Sequence, residues 1–125
     1  MKGYRLLLAI LAALPALVWA ADPVSVTALA DSMTRKQAPV IVDVRSEAEF
    51  LSGHIPGAIM IPVDRLEKNL ELLRPHRKDH IVVYCQSGRR AHKAATELEE
   101  AGFKHVKLLD GSFQAWQAAG QPIAK

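Results

Sequence analysis

The sequence predicts an α/β fold with a mainly parallel sheet. Two observations carry that expectation. Short β-rich runs alternate with helix-like segments from Pro23 to the end of the chain, as in strands joined by right-handed helical crossovers. Two of those runs, "APVIVDV" (38–44) and "HIVVYC" (80–85), are apolar almost throughout, as strands covered on both faces are. A chain of 125 residues suffices for one such domain and is short for two.

The elements follow in order. "PVSV" (23–26) gives a short first strand, and "TALADSMTRK" (27–36) sets Leu29 and Met33 four apart, a weak helix pattern. The second strand, 38–44, ends near Asp43. "SEAEFLSG" (46–53) opens on a Ser cap, carries Glu47 and Glu49 in its first turn and stops at Gly53, which predicts a short helix. "AIMIP" (58–62) gives a third strand. "VDRLEKNLELLRP" (63–75) spaces Leu66, Leu70 and Leu73 by four and three, which predicts one helix ended by Pro75. The fourth strand, 80–85, leads into a helix over 89–102 with Ala91, Ala94, Ala95, Leu98 and Ala101 on one side and Gly102 as its stop. "HVKLLD" (105–110) and "GSFQAWQAAG" (111–120) give a fifth strand and a last helix.

The N-terminus reads differently. Lys2 and Arg5 precede an apolar run from Leu6 to Ala21, and Val18-Trp19-Ala20 offers the residues a signal peptidase reads. Residues 1–21 therefore have the form of a secretory signal peptide cut after Ala20 or Ala21, ahead of a single domain at 22–125. The expected location is the periplasm or the medium. An uncleaved anchor is the alternative, although the run is short for a span of about 20 residues. Without Lys2 and Arg5, the 16 basic residues fall to 14 against 13 acidic ones. The charge of the remaining domain is about +1, too little to suggest a nucleic-acid partner.

Cys85 is the only cysteine, so no internal disulfide can form. An exported thiol must be buried, kept reduced or used. Cys85 falls at the carboxyl end of a predicted strand, where ligands of parallel sheets bind. Gln86, Ser87, Gly88, Arg89 and Arg90 follow it. Gly88 permits a tight loop that turns N–H groups toward the sulfur, the helix beginning near Arg90 adds its positive end, and the two arginines add full charges. Each favours a thiolate and would also hold an anion. The plainer alternative is a core cysteine beside two solvated arginines.

Other cysteine chemistries fit less well. Cysteine phosphatases and arsenate reductases set the arginine six places after the cysteine. Here that residue is Ala91 and Arg90 comes one place early. A dithiol redox site lacks its second thiol. A hydrolase would need a histidine base, and His92, inside the helix, is expected to be exposed. Asp43 and Arg45 are expected to support the loops at the sheet edge, with Arg45 paired to Glu49 at helical spacing. His54 has no second ligand at a suitable spacing and reads as a structural hydrogen-bonding residue, with no metal. Phe113 and Trp116 read as core.

Three ordered motifs resemble those of single-domain rhodaneses, a thiosulfate sulfurtransferase-like family. They are Phe50 with "HIPGA" (54–58), the loop "CQSGRR" (85–90), and "GSFQAW" (111–116), in which Ser112 stands for a second glycine and Phe113 for the usual Trp. The resemblance covers about residues 24–120. It implies the rhodanese-like fold, a five-stranded parallel sheet with helices on both faces. It also implies a ping-pong reaction in which Cys85 takes sulfane sulfur from thiosulfate or a related persulfide donor and passes it to cyanide, a small thiol or a protein thiol. The N–H groups from Gln86 to Arg90 would cradle the persulfide, and Arg90, with Arg89, would hold the sulfonate. No cofactor is implied, because the persulfide itself carries the sulfur. Gln86 stands where some members place a basic residue. A persulfide carrier or anion-binding module serving a partner protein is the competing expectation.

Overall fold

A computed structural model describes residues 21–125; the expected signal peptide lies outside the described residues apart from Ala21. The strands are β1 (Asp22–Val24), β2 (Val40–Asp43), β3 (Ile59–Met60), β4 (His80–Tyr84) and β5 (His105–Leu109). They form one sheet in the order β1-β5-β4-β2-β3. Every pairing is parallel, for example Val42 with Val83 and Val83 with Leu108. The fold is therefore the α/β, five-stranded parallel arrangement that the sequence predicts. β4 lies in the middle, so its carboxyl end opens at the centre of the sheet.

The helices are α1 (Val26–Thr34), α2 (Glu47–Ser52), α3 (Leu70–Leu73), α4 (Arg89–Glu100) and α5 (Ser112–Ala118). They cover both faces. Val42, Val44, Ile81, Val83 and Val106 pack with Ala91, Ala94, Ala95 and Leu98 of α4 and with Leu66 and Leu73. On the other face Ile41, Val82, Tyr84 and Leu109 pack with Leu29 of α1, Ile55, and Phe113 and Trp116 of α5. The split follows the two-residue alternation of strand side chains. Phe113 and Trp116 are core, as expected, and the indole Nε1 of Trp116 donates to the Pro122 carbonyl at 2.7 Å.

The short helices depend on their caps. Ser46 accepts the Glu49 N–H at 3.2 Å while Glu49 Oε1 accepts the Ser46 N–H at 3.0 Å, a reciprocal box that satisfies two orphan donors. α4 ends with Gly102 at φ +97. The Gly102 N–H donates to Glu99 O and the Phe103 N–H to Leu98 O. Phe103 and Leu98 lie in the same core cluster, completing a Schellman stop.

Two expectations about elements are corrected. β1 ends at Val24 because Ser25, still extended, serves as the cap of α1, its Oγ accepting the Ala28 N–H at 3.0 Å, so that α1 starts one residue early. The single helix expected over 63–75 is instead broken into 3-10 turns at Val63–Arg65, Glu67–Asn69 and Arg74–His76 around α3. Asn69 leaves helical angles (φ −114°, ψ 16°), and its amide donates to Arg65 O at 2.8 Å. Short polar side chains compete for backbone carbonyls in this way. Pro75 does not end the segment but sits within its last 3-10 turn. The leucine spacing still does its work, since Leu66 and Leu73 are fully buried.

Candidate active site

β4 stops at Tyr84, so Cys85 is the first residue beyond the central strand. Its side chain continues the row of Ile81 and Val83 and packs in the cluster that α4 covers. The residue is only 1% exposed. The plain reading of Cys85 as a buried thiol is therefore correct about burial, but the sulfur has polar partners. Gly88 N–H donates to Sγ at 3.0 Å and Ala91 N–H at 3.4 Å. Gly88 adopts φ +125°, a region that side chains disfavour, and this turns its N–H back over the sulfur. α4 begins at Arg89, where the expected helix over 89–102 starts, and its first turn brings the Ala91 N–H and the positive end of the helix to Sγ.

A second grip comes from α5. Ser112 Oγ accepts the Cys85 N–H at 3.2 Å and lies 3.9 Å from Sγ. The Phe113 N–H donates to Cys85 O at 2.9 Å, and the Gln114 N–H donates to Gln86 O at 3.1 Å. Cys85 is thus held on both sides of its backbone by the first turn of a helix 27 residues downstream.

The charged residues sort differently from the expected pattern. Arg45 does not pair with Glu49. It is 2% exposed and pairs with Asp43, which is fully buried, through Nε at 3.0 Å and Nη2 at 2.8 Å. Arg45 Nη2 also donates to Gly53 O at 2.6 Å, its Nη1 reaches Gln86 Oε1 at 3.4 Å, and its guanidinium lies 4.3 Å from the centre of the Phe113 ring. Arg45 prefers Asp43 because that carboxylate also accepts the Arg45 backbone N–H at 2.9 Å, which fixes it two residues away. Burial opposes the charge of Arg45, but the bonds and charge of Asp43 outweigh burial and raise its pKa. Asp43 and Arg45 thereby tie β2, the end of α2 and the Cys85 loop together.

Glu49 belongs to Arg90 instead. Arg90 Nη1 and Nη2 reach Glu49 Oε1 and Oε2 at 2.7 and 3.0 Å. The Arg90 hydrogen bonds hold the Glu49 carboxyl down to about 2, with the Ser46 cap adding to them against burial. Arg89 is exposed and has no ion pair among the described residues. Ser87 is also exposed at the loop rim, while Gln86 and Gly88 are half-buried. A cleft of about 310 Å³ adjoins Arg90, lined by Val44, Ser46, Glu47, Val63, Asp64 and Arg65 among others.

The structure thus gathers Cys85 and the whole loop from Gln86 to Arg90, with Asp43 and Arg45 beneath. Sequence reasoning missed the Ala91 N–H, Glu49 as the partner of Arg90, and Ser112. Glu49 and Arg90 are 41 residues apart, and no spacing rule reports that contact. Ser112 left a trace, as a side chain where the motif has glycine. His54 makes a structural bond, its Nδ1 lying 2.9 Å from Phe50 O with the two rings stacked. His92 is exposed. Among the described residues no three His, Cys, Asp or Glu groups gather to hold a metal ion.

Comparison with known proteins agrees with this fold. The rhodanese-like domain family matches residues 25–119. The chain is 42% identical over 91 residues to the chloroplastic thiosulfate sulfurtransferase 16 of Arabidopsis thaliana, covering 65% of this chain and 76% of that protein. It is 34% identical over 84 residues to a sulfurtransferase of Allochromatium vinosum, covering 67% and 77%. The crystal structure of a rhodanese-related protein from Thermoplasma volcanium superposes with a TM-score of 0.73 at 25% identity, over 82% of this chain and 97% of that one.

Proposed function

The chain belongs to the rhodanese-like domain family, whose sulfurtransferase members it resembles over most of the described residues, and from that premise we propose that it moves sulfane sulfur through a Cys85 persulfide. Thiosulfate, or a related persulfide, is the donor. Cyanide or a thiol is the acceptor. The observation that carries the reading is the pair of N–H groups, from Gly88 and Ala91, aimed at Sγ. Such donors stabilise an anionic sulfur.

The reaction divides into two displacements. In charging, the Cys85 thiolate gives its electron pair to the outer sulfur of thiosulfate, the S–S bond of the donor breaks, and sulfite leaves with the bonding pair. In discharge, the acceptor attacks the outer sulfur of the persulfide and Sγ leaves as thiolate. Cyanide then becomes thiocyanate, or a thiolate becomes a new persulfide. Both steps are thiol–disulfide-type exchanges with no net change in proton count for ionised reactants. Asp43 and Arg45 fix the base of the loop, and Arg89 supplies an exposed positive charge for the sulfonate. Burial of Sγ favours small donors and acceptors over a protein thiol. The reading includes export to the periplasm with removal of residues 1–21, which N-terminal sequencing of the protein recovered from its native compartment would check.

The deciding experiment is intact-protein mass spectrometry after mixing with thiosulfate. The expected result is a gain of one sulfur atom that is lost on adding cyanide and is absent in Cys85→Ser. The same adduct in Cys85→Ser, or none in the parent protein, would overturn the thiosulfate reading.

A further inference from the structure

Ser112 combines three features. Its backbone adopts φ +52°, the left-handed region where a residue with a Cβ is strained and where strain points to function. It is 1% exposed. Its Oγ accepts the Cys85 N–H at 3.2 Å, which uses an oxygen lone pair and leaves the hydroxyl proton to be placed. Among the described residues the one side-chain partner beside it is Cys85 Sγ, at 3.9 Å. Ser112 therefore approaches the sulfur from α5, while the N–H groups of Gly88 and Ala91 approach from the loop and α4. Of these three groups Ser112 is the only side chain, so truncating it leaves every backbone N–H in place.

We propose that Ser112 is a catalytic hydrogen-bond donor that stabilises the Cys85 thiolate as it leaves during discharge of the persulfide. The assignment rests on the sulfur-transfer reading above. In discharge the acceptor's electron pair forms a bond to the outer sulfur, the bond from that sulfur to Sγ breaks, and Sγ keeps the bonding pair. Negative charge on Sγ grows in this step and shrinks in charging. A donor to Sγ accordingly speeds discharge and holds charging back, because stabilising a thiolate makes it a better leaving group and a weaker nucleophile. A role confined to holding the backbone of Cys85 would instead affect both half-reactions alike.

The test uses the full chain with Ser112→Ala and Ser112→Gly, each measured on the plateau of its own pH profile. Cys85 is loaded with sodium polysulfide, the excess is removed, and discharge to cyanide is followed by intact mass. Charging by thiosulfate is followed separately through sulfite release. Both variants are expected to discharge about tenfold more slowly, with charging unchanged or faster. Alanine keeps the backbone strain and glycine relieves it, so the thermal midpoints should differ while the discharge defect is shared. Undiminished discharge in either folded variant, or equal slowing of both half-reactions, overturns the assignment. Should polysulfide charge the parent protein while thiosulfate does not, the donor reading fails and the comparison of discharge rates still decides the role of Ser112. A parent protein that takes sulfur from neither donor overturns both.

Discussion

Glu49 holds Arg90 with both carboxylate oxygens while also closing the N-terminal cap of its own helix on Ser46. One side chain thus fixes the entry of α2 and the first turn of α4, two elements 41 residues apart in sequence. Its folded-state pKa of about 2 lies below the ordinary 4.5 because of Arg90 first. A depressed carboxylate pKa gives stability that is complete above the ordinary value and is lost as pH falls through the folded one. The parent protein should exceed Glu49→Gln by about 1 kcal/mol near neutrality, a modest figure for a partly exposed pair. Denaturant melts should show that gap closing between pH 4.5 and about 2. A gap that does not change with pH would refute the assignment.

The two loop arginines should separate by kinetics. Arg89 is exposed and unpaired among the described residues, so Arg89→Ala is expected to raise the KM for thiosulfate several-fold with stability within about 0.5 kcal/mol of the parent. Arg90→Ala removes the Glu49 partner and should lower stability by about 1 kcal/mol. The reverse ranking in KM would show that Arg90 leaves Glu49 to meet the donor. Steady-state kinetics alongside melts would decide it.

Arg45→Met should be the most destabilising of these changes, by about 3–5 kcal/mol, because it strands the buried Asp43 carboxylate and leaves the Gly53 carbonyl without its donor. Adding Asp43→Asn to Arg45→Met should cost far less than the sum of the two single changes. Urea denaturation of the four proteins measures the coupling directly.

Gly88→Ala isolates the backbone. Nothing lies within 4 Å of the Cβ it would add, so its cost comes from φ +125° alone. It should destabilise by more than about 1 kcal/mol. A loop that relaxes instead turns its N–H away from Sγ, and kcat/KM should fall at least tenfold. A stable, fully active variant would contradict the role given to that N–H group.

Legibility in the sequence divided along physical lines. β2 and β4 were readable because buried parallel strands are apolar throughout, and α4 because its alanines and Leu98 keep one face. The Cys85 loop was readable because its chemistry is contiguous. The broken segment around Asn69 was not, since the leucine spacing of a helix and of a series of 3-10 turns is too similar over so few residues. The partner of Arg45 was misassigned and that of Arg90 went unread because local spacing favours Arg45 with Glu49, whereas the bond of the Arg45 backbone to Asp43 and the approach of α4 to α2 arise only in the folded chain. Ser112 was visible as an oddity but could not be given a role without the distance to Cys85.

The grip of Ser112, Phe113 and Gln114 on the Cys85 loop also bears on biogenesis. Synthesis runs from the N-terminus, so the thiol emerges from the ribosome well before the segment that fastens it. β5, which flanks β4 and brings α5 back over the loop, must also be in place first. Until then the Cys85 loop lacks the hydrogen bonds made by Ser112, Phe113 and Gln114. A chain cut short before residue 112 would keep Gly88 and Ala91 in sequence behind Cys85 but would lack the docked helix that fastens their loop in place.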